Sequence, residues 1–188
     1  INDLSGSLGI SQGSLYGVAY GNNQFMIVGT SGGAAFAAIY NGSFHQIKLP
    51  SDYTSLYSVA YGENEFMVGG STNSAGALGV YYDGAFRDDS SMLPSNMFAV
   101  TAITYGNGEF MVGGYISSGN YTYGELGEII NNSFSIISLF NSQFASINGL
   151  SYAYYEFLIE GGLTNGYGGI GYYGAGEGGT ALEVSSTE

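Results

Sequence analysis

The chain has 188 residues, which is enough for a sizeable buried core, and 45% of them are hydrophobic. Only 9% are charged, and fifteen acidic residues against one lysine and one arginine give a formal net charge of −13 at pH 7. Nucleic acids and anionic membranes bind clustered basic side chains, so this composition argues against nucleic acid as a partner and disfavours anionic membrane surfaces. No apolar run is long enough to predict a membrane span, and there is no cysteine for a disulfide.

The scarcity of basic groups also bears on the environment of the protein. Carboxylates with ordinary pKa values near 4 are mostly protonated at about pH 2, where this chain would carry little charge. The composition therefore fits either an acidic exterior or a neutral-surfaced extracellular protein, and our conjecture for the source is an acidophilic, glycosylating archaeon. The chain begins at Ile1 without a basic and apolar leader, so we expect a processed product or part of a longer chain.

In chain order, the first predicted element is an extended segment over residues 1–13. It stands before the first repeat, so it could close a ring of repeats by adding a strand to the last one. It could instead add to the sheet edge of a neighbouring subunit and build a filament by β-strand addition. A loosely attached terminus is the third interpretation.

Four copies of one phrase follow, predicting repeats at about 14–51, 52–95, 96–142 and 143–188. Each copy has a tyrosine and, five residues later, a phenylalanine. The phenylalanines are spaced 41, 44 and 47 residues apart: Phe25, Phe66, Phe110 and Phe157. A glycine-rich, β-forming period in the forties is typical of a propeller blade of four strands.

Within one repeat the pattern predicts two hairpins. In the second repeat, Leu56–Tyr61 and Glu65–Val68 are strands around a Gly-Glu-Asn turn, and residues 79–82 and 85–86 flank Asp83-Gly84. Such Asn-Gly and Asp-Gly turns between apolar runs are a strong hairpin signal. The fourth repeat departs from this pattern because Ala153, Tyr154 and Tyr155 replace the turn residues, which suggests a different loop or a specialised contact. Its last outer strand is predicted at Thr180–Val184.

These phrases, Tyr61-Gly62 to Phe66-Met67-Val68-Gly69-Gly70 and Asp83-Gly84-Ala85-Phe86, resemble the repeats of sialidase/BNR-like and kelch-like β-propellers. Those families commonly pair a YGNG-x-F-V-x-V-G strand-turn-strand with a later DG-x-x-W turn. The chain departs from them in having no tryptophan; phenylalanine takes that place. The resemblance implies an all-β propeller of about four four-stranded antiparallel blades, and no particular chemistry.

Catalytic signals are weak. A sialidase needs a cluster of arginines for the substrate carboxylate, and Arg87 is the only one. His45, the sole histidine, falls in a predicted outer strand and is interpreted as solvent-exposed. The position before each repeat phenylalanine could form a polar ring that binds a cation or sugar hydroxyls: Gln24, Glu65, Glu109 and Glu156. Asp88-Asp89 is interpreted as a solvated loop. No metal site and no cofactor is predicted.

Tyrosines are the leading candidates for ligand or partner contact, because an exposed ring supplies stacking area and a hydroxyl. The candidates are Tyr154, Tyr155, Tyr81 and Tyr121, with the first two preferred because they replace turn residues. Three Asn-x-Ser/Thr sequons predict glycosylation at Asn41, Asn120 and Asn131.

Taken together, the sequence predicts an extracellular or cell-surface protein without enzymatic activity that serves surface assembly or adhesion. Its partners would be other protein subunits, through self-assembly, or glycans. A carbohydrate-binding propeller module of a secreted protein is the first alternative. A carboxylate-based hydrolase that depends on Glu65 or Glu109 is the second.

Overall fold

A computed structural model describes residues 3, 5–10, 12–137, 144–174 and 185–186. They form four antiparallel sheets of four strands each, arranged as a four-bladed β-propeller, so the predicted fold class is confirmed. The helical residues among them are two short 3-10 turns, Ser5–Ser7 and Ser90–Met92. None of the described helices is long and apolar enough to cross a membrane.

The strands follow the chain from blade to blade. Blade 1 comprises β1 (Gly13–Gly21), β2 (Gln24–Ser31), β3 (Ala34–Tyr40) and β4 (Phe44–Gln46). Blade 2 comprises β5 (Tyr53–Gly62), β6 (Glu65–Thr72), β7 (Gly76–Tyr82) and β8 (Ala85–Asp88). Blade 3 comprises β9 (Met97–Gly106), β10 (Glu109–Ser118), β11 (Tyr121–Ile130) and β12 (Ser133–Ile137). Blade 4 comprises β13 (Phe144–Ala153), β14 (Glu156–Leu163), β15 (Gly168–Gly174) and β16 (Ser185–Ser186).

Each blade is a meander in which sequential strands pair as neighbours. The first strands of successive blades contact one another, so β1, β5, β9 and β13 are the inner strands of the propeller. The repeated tyrosine and phenylalanine lie directly opposite each other across the first hairpin, as in Tyr61 and Phe66, and their rings are 4.8 Å apart. The sequence repeat therefore marks the same hairpin in every blade.

The core lies between blades rather than within one of them. Three clusters of buried side chains fill the junctions of blades 1 and 2, 2 and 3, and 3 and 4. At the first junction, for example, Met26 of blade 1 packs with Leu56, Val59 and Phe66 of blade 2. Because a single blade cannot bury both of its faces alone, stacking on neighbouring blades is what stabilises it.

A glycine at the end of the inner strand makes room for the next blade in blades 1, 2 and 3. A Cβ atom on Gly21, Gly62 or Gly106 would overlap the tyrosine ring of the following blade. Each of these rings belongs to the repeat tyrosine that pairs with the phenylalanine of its own blade. The repeat glycine therefore has two roles. It lies next to the turn, and because it has no Cβ atom it allows two blades to approach closely.

Hydrogen bonds also cross the junctions. The Ser58 hydroxyl of blade 2 accepts from the Ile103 N–H of blade 3 at 2.9 Å. Thr101 of blade 3 donates to the Ile147 carbonyl of blade 4. The Arg87 guanidinium of blade 2 donates to the Asn132 side-chain oxygen of blade 3 at 3.4 Å.

The interpretation of Asp88-Asp89 as a solvated loop is wrong for Asp89, whereas Asp88 is exposed at the end of β8. Asp89 is buried and accepts three hydrogen bonds from Arg87 at 2.8–3.0 Å. Asp88 accepts from the Tyr53 hydroxyl at 2.8 Å and from the Ser90 N–H at 3.0 Å. Burial alone would raise the pKa of Asp88, but the hydrogen bonds from Ser90 and Tyr53 outweigh it and lower the pKa. The pair thus anchors the end of blade 2.

The N-terminal segment precedes β1, which begins at Gly13. Residues 5–7 of that segment form a 3-10 turn, and its addition to a sheet edge stays a prediction. The outer strand predicted at Thr180–Val184 lies outside the described residues. The fourth strand of blade 4 that the structure describes is β16, which pairs with Gly169 and Ile170.

Candidate functional site

Antiparallel meanders place the turns of each blade at two rims. The turns after the first and third strands lie at one end of a blade, which we call the tyrosine rim because it contains Tyr154 and Tyr155. The turn after the second strand lies at the opposite end, which we call the distal rim. The glycine–tyrosine contacts between blades show that the tyrosine rims of successive blades are aligned.

The tyrosine rim is built from two-residue turns with left-handed backbone. Positive φ angles occur at Asn22 and Asn23, at Glu63 and Asn64, and at Asn107 and Gly108. Asparagine and glycine adopt this conformation readily, so these turns fit the right-handed twist of the flanking strands.

Blade 4 forms the same turn from two tyrosines. Tyr154 has φ 53° and Tyr155 has φ 67°, and Ala153 pairs with Glu156 as the flanking residues pair in the other blades. The expectation of a different loop is therefore wrong. A bulky side chain in this region of φ is strained, which costs about 1 kcal/mol or more for each residue. Such strain is concentrated at functional sites, and this turn is the candidate site.

Both rings project from the rim into solvent. Tyr154 is 94% exposed and Tyr155 is 75% exposed, so neither ring contributes to a core. Glu156, which is also exposed, follows immediately and begins β14. Two aromatic faces, two hydroxyls and a carboxylate thus stand within three consecutive residues. Aromatic faces stack on the C–H surface of a sugar ring, while hydroxyl and carboxylate oxygens bond its hydroxyl groups.

A cavity of about 210 Å³ lies beside this turn, on the face of blade 4 that is turned away from blade 3. Its lining includes Tyr154 and Glu156 from the turn, Ser151 from β13, and Leu158 and Tyr172 from β14 and β15. The sequence analysis did not group these residues. Strand register could have done so, because Leu158 pairs with both Ser151 and Tyr172.

The other candidate tyrosines lie elsewhere. Tyr121 is exposed at the distal rim, where it begins β11. Tyr81 is half-buried and packs against the core between blades 1 and 2, whereas its neighbour Tyr82 is exposed. The structure thus brings Tyr154 and Tyr155 together and leaves Tyr81 and Tyr121 apart from them.

All three sequon asparagines are exposed. Asn41 and Asn131 lie in the third turns of blades 1 and 3 at the tyrosine rim, and Asn120 lies at the distal rim. Glycosylation at these positions stays a prediction.

The acidic positions before the repeat phenylalanines have different environments. Glu109 is buried, Glu65 is half-buried and Glu156 is exposed. Burial raises the pKa of Glu109, and Glu128 adds to this rise. Burial likewise raises the pKa of Glu65, although Arg87 partly opposes the rise. No group of three or more potential metal ligands occurs in the part of the chain that the structure describes.

His45 is exposed on β4 and its ring lies 2.9 Å from the Ser43 hydroxyl. A larger cavity of about 440 Å³ runs along the connection from blade 1 to blade 2 and is lined by Gln46, Lys48 and Tyr53 among others. Tyr53 is buried there, and its hydroxyl already bonds the Leu78 carbonyl at 2.8 Å. This cavity therefore offers no free aromatic face for stacking.

No family model and no curated protein matches the chain. Solved structures do match the chain. Virginiamycin B lyase from Staphylococcus aureus, solved as an inactive variant with quinupristin, matches at a TM-score of 0.71 and 16% identity, over 95% of this chain and 57% of that chain. The BP39L lectin from Burkholderia pseudomallei matches at a TM-score of 0.61 and 12% identity, over 95% of this chain and 58% of that chain. This chain thus spans somewhat more than half the length of either protein.

A third structure is a family 117 glycoside hydrolase from the marine bacterium Zobellia galactanivorans, with a TM-score of 0.57 and 9% identity, over all of this chain and 73% of that chain. At these identities the matches show the propeller fold alone. They support the resemblance to β-propellers and do not support the sialidase or kelch families in particular. The prediction that the protein is not an enzyme is contradicted as an interpretation of the fold, because two of these propellers are enzymes; the matches show neither activity nor its absence in this chain.

Proposed function

We propose that this chain is a recognition propeller whose blade 4 turn, Tyr154-Tyr155 with Glu156, binds a saccharide. The observation that carries the proposal is that two tyrosines keep a strained, left-handed turn and yet leave most of their surface, 94% for Tyr154 and 75% for Tyr155, exposed to solvent. Asparagine and glycine occupy the equivalent turn of blade 3 without that strain. The tyrosines therefore contribute nothing to folding that Asn-Gly would not provide better.

The chemistry of the turn favours a neutral or hydroxyl-rich ligand. The chain carries a net charge of −13 and Glu156 adjoins the rings, so anionic sugars would be repelled. Stacking on a tyrosine ring needs no charge on the ligand. One of the similar propellers is a lectin, which is consistent with this proposal.

A glycan array tests the proposal, with the double variant Tyr154→Asn, Tyr155→Gly as the comparison. We expect the parent chain to bind neutral glycans and the variant to lose at least about tenfold in affinity, because a stacked ring is worth roughly 1 kcal/mol or more. Tyr121→Ser and Tyr82→Ser, which remove exposed rings elsewhere, are the matched controls and keep binding. Binding that survives in the double variant, or that is lost in Tyr121→Ser, would place the site elsewhere.

The second candidate function is surface assembly or adhesion outside the cell, including filaments formed by addition of the segment 1–13 to a neighbouring sheet edge. Three features favour it: only 9% of the residues are charged, several large apolar side chains are exposed, and the chain has three sequons. Deleting residues 1–13 tests the filament. The strand-addition proposal requires that filaments of the parent chain, seen in negative-stain images, disappear on deletion.

A further inference from the structure

Each blade packs against the next blade along the chain. Extensive contacts join β1 to β5, β5 to β9 and β9 to β13. Among the described residues, no contact of comparable extent joins blade 4 to blade 1. In the part of the chain that the structure describes, the four blades therefore form an arc whose first and last blades each have one face without a neighbouring blade.

Blade 1 has a leading face that no other blade covers. We define it by Leu15, Val18, Tyr20 and Phe25, all of which are exposed. The same positions in blade 2 are Leu56, Val59, Tyr61 and Phe66, which pack against blade 1. Val18 is 65% exposed, whereas Val59 is 9% exposed. Blade 1 thus keeps the apolar residues of a junction, although nothing in the arc packs on them.

Blade 4 has the complementary trailing face, defined by Leu158 and Ile170. Leu158 takes the place of Met26, Met67 and Met111, each buried against the following blade, yet Leu158 is 48% exposed. Ile170 pairs with Glu160 and takes the place of Leu78 and Leu126, which are fully buried. The cavity lined by Ser151, Ala153 and Leu158 opens on this same face.

We propose that a second copy of the chain completes the ring, head to tail, with each leading face packed on the trailing face of the other copy. The argument is continuity with an established interface, because the chain already makes this type of junction three times. Propellers typically close with about four to eight blades. Two copies of a four-bladed arc that is not closed on itself give eight blades, and a third copy would exceed the range. Head-to-tail contacts give a closed ring when the rotation from one copy to the next returns to the first copy, and an open fibre when it does not.

The junction between copies differs from the other three at two positions. Ala153 stands where Gly21, Gly62 and Gly106 lie under a tyrosine ring, and Glu160 stands where blades 2 and 3 have glycine. The Cβ of Ala153 excludes a ring placed directly over it. In a junction between two copies, the ring of Tyr20 must therefore lie to one side of Ala153.

The test is the mass of the 188-residue chain in solution, by light scattering on a sizing column and by analytical ultracentrifugation. The protomer has a mass of 19.6 kDa, so we expect a species of twice that mass at about 10 µM protein. Val18→Asp and Leu158→Glu each place a charge on one free face and should give the monomer. Both sites are exposed in the protomer, so each monomeric variant should stay folded, and its melting temperature should fall only by the concentration-dependent part that dimer formation adds to the parent. Tyr82→Asp, at an exposed ring outside both faces, is the matched control and stays dimeric.

Mixing the two single variants distinguishes head-to-tail packing from like-face packing. A mixed dimer of Val18→Asp with Leu158→Glu contains one junction with both charges and one junction with neither. Equimolar mixing should therefore restore a dimer that neither variant forms alone. A monomeric parent chain, a fibre or higher oligomer, or a Leu158→Glu variant that stays dimeric would each overturn the proposal.

Discussion

The residue-scale feature with the widest consequence is the pair Tyr154 and Tyr155. Their backbone is the one that Asn107-Gly108 adopts in blade 3, but their rings lie in solvent. Because stability gains nothing from these side chains, ligand contact is the explanation that fits both the strain and the exposure.

The double variant Tyr154→Asn, Tyr155→Gly should raise the free energy of unfolding by about 2 kcal/mol, roughly 1 kcal/mol for each residue, since both residues then favour the left-handed turn. Chemical denaturation measures this change. The reciprocal variant Asn107→Tyr, Gly108→Tyr should lower the stability by a similar amount. A double variant less stable than the parent would show that the tyrosines support the fold.

Arg87 donates the hydrogen bonds that compensate the burial of the Asp89 carboxylate. Replacing Arg87 by Met leaves the Asp89 carboxylate without its three charge-assisted hydrogen bonds. Since Arg87 itself is half exposed, we expect a loss of about 1–2 kcal/mol in the free energy of unfolding. Lys48→Met removes the same charge from an exposed side chain and is the control. Equal effects of the two variants on urea denaturation would contradict this account.

At the scale of the element, glycine decides how closely two blades approach. In Gly62→Ala, the new Cβ overlaps the ring of Tyr105, so blades 2 and 3 must separate or the ring must turn. We expect a loss of about 2 kcal/mol in the free energy of unfolding. Gly168→Ala adds the same atom where nothing lies within 4 Å, and it should leave stability unchanged or slightly higher. Thermal denaturation of both variants checks the contrast.

The elements were predictable to different degrees. Hairpins are local, so alternation and turn residues such as Asp83-Gly84 predicted them correctly. Contacts between blades join residues more than forty positions apart, as in Arg87 and Asn132, and no local pattern encodes them. Asp89 was interpreted as solvated because its burial depends on tertiary packing, which the local sequence does not show. The Tyr154-Tyr155 turn was singled out by its composition, but its backbone follows the pairing of Ala153 with Glu156.

At the scale of the whole molecule, acidity should stabilise the fold. Burial raises the folded-state pKa of Glu65, Glu109 and Glu125 above the ordinary value of 4.5. Ionising these groups at neutral pH therefore opposes folding, and the penalty disappears as the pH falls through their folded-state pKa values towards 4.5. Asp88 acts in the opposite sense, because its lowered pKa stabilises the fold above 3.8 and that contribution is lost below its folded-state value.

We therefore expect the melting temperature to rise as the pH falls from 7 towards 5. Glu109→Gln should flatten that rise, because the amide cannot ionise. A melting temperature that falls steadily over the same range would contradict the assignment of buried carboxyl groups.

The tyrosine turn of blade 4 is the place where we propose that a saccharide is held. A two-dimensional amide NMR titration with a glycan bound by the parent chain tests this most directly. We predict that the largest shifts occur at Ala153 to Glu156, with Asn107 and Gly108 of the matched blade 3 turn unchanged. Shifts of equal size at Asn107 and Gly108, or shifts confined to the distal rim around Tyr121, would contradict it.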